Sequence, residues 1–451
     1  MTQEAPLHPS SRLAAIRDFV AHWRGRISFA ILDQGFSSTA NFLFVVLLAN
    51  ILPIESFGFF SVVWTISLLA EVVTTSLVAD PLVELLGRRQ GASPQAAAAA
   101  TESLRASALW VYLALAGAVS VAIAAFGLVA LTWSAEFGSL LLCLAIVSPI
   151  QRVHALIRRL CYLADRQAVA ALAGGSFAAT LFVLSAVLAL THLLTSLTAL
   201  LALAAASMVV VGIGIAHGII PARRVSRADL IADAQAMLRS GRWMLPANIV
   251  HWFSGQGVIP MVAAVAGPAA GGVVRALINI YSPVYQANGA IIVAFSHKFL
   301  QAVARSDLAQ LRRLGFLSVT PLVILAAGYC AVLLTWPAEV LGLIYGKPEI
   351  VAAAPLVWPL AIGVLIDAAS QGTGVGLLAL GRTRTIFTIR LVSLAVFVAS
   401  GLVLAPLFGT AGVLWAIVAS IATVAALSSV ALLRATQPAA GAVAERLSHT
   451  S

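Results

Sequence analysis

The feature that most constrains this chain is an alternation of charge laid over an almost unbroken series of apolar spans. Nearly every Lys and Arg falls in every second gap between spans. Roughly 20 apolar residues cross ~30 Å of hydrocarbon, and about twelve such spans can be placed. They are 27–52, 57–86, 104–133, 139–160, 168–190, 193–220, 243–266, 272–295, 316–336, 351–380, 386–408 and 412–433. Hydrophobic residues make up 61% of the chain and charged residues 10%, more apolar surface than a soluble domain of this length can bury. The expected fold class is an all-α integral membrane protein, with about twelve transmembrane helices in two six-helix lobes around a central cavity.

The charge alternation sets the orientation. One set of polar segments carries Arg12, Arg17, Arg24 and Arg26, then Arg88, Arg89 and Arg105, then Arg158, Arg159 and Arg166. It continues with Arg223, Arg224, Arg227, Arg239 and Arg242, with Lys298, Arg305, Arg312 and Arg313, with Arg382, Arg384 and Arg390, and with Arg434 and Arg446. That is 24 of the 27 basic residues, leaving Arg152 at membrane depth and Arg275 and Lys347 at or near the other side. The positive-inside rule then puts both termini in the cytoplasm. The net charge of +10 calls for no nucleic-acid partner, because cytoplasmic loops facing anionic lipid of the bilayer account for it.

The remaining polar segments organise the chain. Residues 1–26 lack the apolar core of a signal peptide, and Leu13, Ile16, Val20 and Trp23 recur at helical spacing, as in a short interfacial helix. The longest interruption, 222–242, separates a first lobe at 27–221 from a second at 243–434, with 435–451 as a cytoplasmic tail. Within it Leu230, Ile231, Ala234, Met237 and Leu238 form one helical stripe, which reads as an amphipathic connector on the membrane surface. Asp229 and Asp233 come early in that stretch and Arg239 late, as the helix dipole favours. The alanine run 96–100 reads as a loop or helix start. Cys143, Cys161 and Cys330 lie in or at the ends of spans, without the paired spacing of a disulfide framework or a metal site. No cofactor is expected. The outer gaps are short and leave no room for a folded catalytic domain, and no Ser/His/Asp, metal-ligand or phosphate-loop arrangement is present. An enzyme is therefore the weaker class, and a transporter the stronger.

Several short motifs resemble one family. The segment Leu32-Asp33-Gln34-Gly35-Phe36-Ser37-Ser38-Thr39-Ala40-Asn41-Phe42 resembles the opening helix of bacterial polysaccharide transporters, O-antigen flippase-like proteins of the multidrug, oligosaccharidyl-lipid and polysaccharide flippase superfamily. Leu48-Ala49 to Ser56-Phe57-Gly58 is similar to the turn into the family's second helix, and Asp80-Pro81-Leu82 to the element ending it. Gln151 with Ile157-Arg158-Arg159-Leu160-Cys161-Tyr162 resembles an arginine-pair and aromatic element after the fourth helix. The stretch 271–283, containing Arg275, resembles a Gly-x-x-x-Arg start of the eighth. The resemblance implies a V-shaped bundle of two lobes that moves a lipid-linked oligosaccharide or related polysaccharide precursor to the outer face, with other polysaccharide-assembly proteins as partners. Cation-coupled multidrug export on the same fold is the competing transporter reading.

Candidate residues follow from what such a carrier must do. Arg275 stands against the charge rule, and guanidinium grips phosphate oxygens in a bidentate fork, so it is the first candidate for an anionic head group. Snorkelling to the outer interface or pairing with a neighbouring helix is the alternative. Arg152, with His154 two residues on and Arg159 one heptad on, suits either a phosphate relay along the fourth span or an early cytoplasmic end to it. Glu71 and Asp367 lie deepest among the acids and suit ion coupling, or neutralisation by an arginine or by interhelical hydrogen bonds. Asp33 and Asp80, towards the cytoplasmic ends of adjacent spans, suit a gate or an arginine pair. Asn41, Gln256, Asn279, Tyr281, Tyr285, Gln286 and Asn288 offer polar and aromatic surface of the kind sugars prefer, or interhelical hydrogen bonds. Tyr281, Tyr285 and Asn288 share a face at i, i+4 and i+7 of one continuous helix. Gly255, Gly257, Pro260, Pro283 and Pro321 are candidate helix breaks. The run Gly372-x-Gly374-x-Gly376 follows no strand and reads as close helix packing.

Overall fold

The computed structural model describes residues 29, 32–88, 94–221 and 225–437. The expected N-terminal interfacial helix (Leu13, Ile16, Val20, Trp23), Arg12, Arg17, Arg24, Arg26, Arg89, Arg223, Arg224, Arg446 and most of the tail lie outside them. Among the described residues the chain is all-α. The helices are α1 (Leu32–Ile51), α2 (Ile54–Leu86), α3 (Pro94–Ala130), α4 (Ala135–Leu163), α5 (Gln167–Leu190), α6 (Ser196–Ala216), α7 (Arg227–Gly255) and α8 (Val258–Ala266). Then come α9 (Pro268–Ile280), α10 (Ser282–Ala304), α11 (Leu308–Leu317), α12 (Thr320–Thr335), α13 (Pro337–Tyr345), α14 (Pro348–Val351), α15 (Val357–Ala379) and α16 (Thr383–Ala435).

Nine of the described helices are long and apolar enough to cross a bilayer, and the pair Arg227–Phe253 with Val258–Ala266, bent by 49°, makes a tenth. The 53 residues of α16 would run ~80 Å if straight, more than twice the hydrocarbon thickness. They turn instead at Gly409, whose φ of 55° glycine adopts without strain, so α16 supplies both of the last two expected spans. α9 and α10 occupy the stretch expected as the eighth span, and α9 is apolar but shorter than a full span. Large apolar side chains that stand open, among them Leu190 (81% exposed), Ile146 (74%) and Val121 (70%), make sense only against lipid. The chain is a multi-pass membrane protein.

Two expectations are corrected. The 222–242 connector is not a separate surface helix, because α7 runs unbroken from Arg227 into the seventh span. Its expected apolar stripe faces inward only in part, with Leu230 and Ala234 half-buried. Ile231 and Leu238 are exposed, whereas Asp233 and Met237 are buried, because Ser107 donates to Asp233 Oδ2 at 2.7 Å and draws that face inward. The alanine run 96–100 lies in the first turns of α3, the helix start of its two readings.

The contacts divide the chain into two compact units: Met1–Phe44 with Val73–Arg242, and Val45–Val72 with Trp243–Ser451. The change at 242/243 falls where the expected lobes meet, but 45–72, expected in the first lobe, groups with the second unit. In the first unit α4 is central. Ser134 caps it, accepting from Phe137 N at 3.3 Å, and Leu140, Leu141, Leu144, Leu156 and Leu160 are buried along it. Gly214 of α6 meets Ile157 closely, since a Cβ there would lie 2.8 Å from it, and such small residues let membrane helices approach.

The second unit is built the same way. A Cβ on Gly58 would stand 1.8 Å from Pro268 O, and one on Gly272 would stand 2.8 Å from Ile54 O, so α2 and α9 touch backbone to backbone. Asn50 donates to Ile344 O at 2.9 Å, and Lys347 donates to Leu52 O. These contacts draw 45–72 into this unit. Burial holds the Lys347 ammonium below its ordinary value, against the opposing pull of Glu349. Gly372 approaches Gly315 O (a Cβ would lie at 2.3 Å) and Gly376 packs on Leu432, while Gly374 is open.

Candidate functional site

Within the first unit, three distant motifs converge. Asp33 on α1 is fully buried, and its Oδ2 accepts from Arg158 Nη2 at 2.7 Å and from Tyr162 Oη at 2.6 Å. Gly174 of α5 makes room for this carboxylate, since a Cβ there would stand 2.4 Å from Asp33 Oδ1. Arg159 turns to another neighbour: its Nη2 lies 2.5 Å from Asp80 Oδ1, just past a π-helical stretch at Thr75–Ala79. Successive helical residues point ~100° apart, so one turn of α4 ties both α1 and α2. Asp33 and Asp80 are thus ion-paired with the arginine pair. Asp33→Asn should lower the stability of the purified protein by about 2–3 kcal/mol, because Arg158 loses its charged partner. Thermal melts in detergent check this. Adding Arg158→Gln should cost little more, since the two residues act as one unit.

Arg152 is 3% exposed and sits within α4, which runs on to Leu163, so that helix has no early end. His154 is taken up by packing: its Nδ1 lies 3.2 Å from Ser207 Oγ and its ring 4.8 Å from Phe177. Asn41 is exposed on α1.

The second unit holds the other candidates. Glu71 is half-buried on α2 and engaged with a neighbour. Asp367 on α15 accepts from Gln371 Nε2 at 2.9 Å and, more weakly, from Asn288 Nδ2 at 3.5 Å. The charge of Arg390 acts on Asp367, and Arg390 also contacts His251 Nδ1. Asn288 is 3% exposed, and its Oδ1 has no hydrogen-bond partner among the described residues.

The expected common face of Tyr281, Tyr285 and Asn288 does not form. Pro283 has no N–H to continue the ladder, and the helix breaks at Tyr281 between α9 and α10. Tyr281 is buried there and donates to Val357 O at 3.0 Å, while Tyr329 donates to Ile280 O at 2.7 Å. Tyr285 is 40% exposed, and Gln286 is exposed beside it. Asn279 is buried near Tyr345, whose hydroxyl donates to Ala276 O at 2.8 Å. Burial pushes the Tyr345 phenol above its ordinary value.

Arg275 on α9 is half-buried and makes no hydrogen bond or ion pair with the described residues; Tyr345 is the polar group that acts on its charge. Gln256 lies in the break between α7 and α8, with its Oε1 buried and without a partner among the described residues. Sequence reasoning missed Gln371 and Arg390 as neighbours of Asp367, and His251 as a neighbour of Arg390. The i, i+4 spacing of Asp367 and Gln371, and the position of Arg390 four residues inside its expected span, were the available signals.

No known family model matches the chain, and no curated protein does. Solved structures do. One is an inward-facing multidrug resistance MATE family transporter of the MOP superfamily, with a TM-score of 0.69 at 14% identity over 90% of this chain and 98% of that one. Another is the lipid II flippase MurJ in an inward closed conformation, with a TM-score of 0.68 at 13% identity over 91% of this chain and 87% of that one. A third is a MOP superfamily transporter from Pyrococcus furiosus, described by the reverse polarity of its binding pocket, with a TM-score of 0.65 at 14% identity over 92% of this chain and 95% of that one. At these identities the likeness is one of fold, which this chain shares with these three structures.

Proposed function

We propose that this chain is a transporter that moves an anionic, lipid-linked glycan precursor from the cytoplasmic to the outer leaflet of a bacterial inner membrane by alternating access. The observation that carries the reading is the balance of charge among the side chains on the spanning helices. Asp33 and Asp80 are paired with Arg158 and Arg159, and Asp367 lies in the field of Arg390. Arg275 has no acidic partner among the described residues. A carrier of cations needs an uncompensated acid, whereas this one offers an uncompensated guanidinium suited to phosphate oxygens. Lipid-linked sugar is the class that the sequence motifs favour. Multidrug export is the alternative that the fold also accommodates.

A deletion strain separates the two. Loss of the gene should leave sugar-lipid on the cytoplasmic leaflet and reduce surface polysaccharide, with drug tolerance little changed and full rescue by the intact gene. Normal surface glycan with increased accumulation of cationic dyes would establish drug export instead.

The orientation has its own test. Ala135→Cys and Ser226→Cys, both at exposed positions, should react with a membrane-impermeant thiol reagent from opposite sides, Ser226→Cys from the cytoplasm. The three native cysteines are buried and give little background. Labelling of both positions from one side would rule out the proposed topology.

A further inference from the structure

The seventh span is broken, and the break holds two unsatisfied polar atoms. α7 ends at Gly255 and α8 begins at Val258, bent by 49°. Gly257 permits the turn, because a Cβ there would lie 2.7 Å from Phe253 O and 3.0 Å from Phe253 Cα. Gln256 N and Gly257 N both donate to Trp252 O, at 2.7 and 3.2 Å, so Gln256 stands one turn beyond Trp252. Trp252 is only 7% exposed, yet among the described residues its Nε1–H has no acceptor, and Gln256 Oε1 is buried and has no donor. A buried donor and a buried acceptor left unmade one helical turn apart are costly and rare. The ring of Phe253 stands edge-on to Trp252 at 4.9 Å and adds an aromatic surface.

The chemistry of the pair selects its ligand. A hydroxyl accepts from an indole N–H and donates to an amide oxygen through the same atom. A metal cation cannot accept from the indole, and a fully ionised phosphate cannot donate to Oε1. Broken spans are also where transporters expose polar groups at membrane depth. We propose that the break in the seventh span is a hydroxyl-binding niche, in which Trp252 Nε1–H and Gln256 Oε1 together hold one hydroxyl of a sugar head group. The choice of a sugar rests on the glycan reading above; the niche rests on the two unpaired atoms.

The test uses the full-length protein in lipid nanodiscs, labelled with 5-fluorotryptophan, with the Trp252 fluorine resonance assigned by its loss in Trp252→Phe. Free lactose and inorganic phosphate are titrated separately. Lactose should shift the Trp252 resonance saturably and phosphate should not. Gln256→Leu should weaken the lactose response about fivefold or more, the loss expected for one hydrogen bond to a buried amide. Gln256→Glu keeps an acceptor and should retain the response, which serves if the leucine variant does not fold. A Trp252 resonance unmoved by lactose would mean that the niche holds water alone, and a shift with phosphate would mean an anion site; either overturns the proposal. A saturable lactose shift in a protein whose deletion leaves surface glycan normal would keep the niche and remove the lipid-linked substrate.

Discussion

Arg275→Ala is expected to lose at least ~10-fold in transport of an anionic lipid-linked substrate while its membrane expression stays normal. Charge-assisted hydrogen bonds to phosphate are worth about 1.5–3 kcal/mol, which corresponds to that factor or more. Because Arg275 supports no ion pair among the described residues, its removal breaks no structural link there. Arg275→Lys keeps the charge but not the planar fork, and should retain part of the rate. Transport of a fluorescent polyprenyl-pyrophosphate sugar into reconstituted vesicles is the measurement. Wild-type rates in a well-expressed Arg275→Ala protein would remove Arg275 from the site and leave it a snorkelling or packing residue.

Gly58→Ala carries the largest expected cost in stability. The added methyl would sit 1.8 Å from Pro268 O and 2.4 Å from Pro268 C, so α2 and α9 must part along their whole contact. Overpacking against backbone has no rotamer escape, and a loss of about 3 kcal/mol or more is expected. Detergent melts should show a large fall in midpoint, or no folded protein. Gly35→Ala is the matched control: nothing lies within 4 Å of its Cβ position, so alanine there should leave the midpoint unchanged or slightly raised. Equal melting of the Gly58 and Gly35 variants would show that the close approach of α2 and α9 is not needed for stability.

The spans were legible because hydropathy is a local quantity: backbone groups in hydrocarbon must bond within their own helix, so each apolar stretch declares itself. Pro283 and the glycines at 255 and 257 likewise mark real breaks, since the loss of an N–H or of a Cβ acts where the residue stands. The direction of individual side chains was less legible. Tyr281, Tyr285 and Asn288 share a face only on an unbroken helix, and the break at Tyr281 turned its hydroxyl to Val357 O. Arg390 was counted with loop charge because span boundaries read from hydropathy are soft by several residues, and at a boundary a basic side chain reads the same inside and out.

By itself the sequence determined the all-α class, the order of the apolar spans, several of the places where helices break, and the one-sided charge. These follow from local hydropathy, backbone chemistry and composition. Only the tertiary structure decided that Asp33 meets Arg158 and Tyr162 while Asp80 meets Arg159, that 45–72 packs with the second unit, and that Trp252 and Gln256 are left unpaired. Pairing is non-local: a carboxylate in a span needs a partner, but which arginine reaches it depends on helix rotation and on gaps as small as the missing Cβ of Gly174, which no periodicity records.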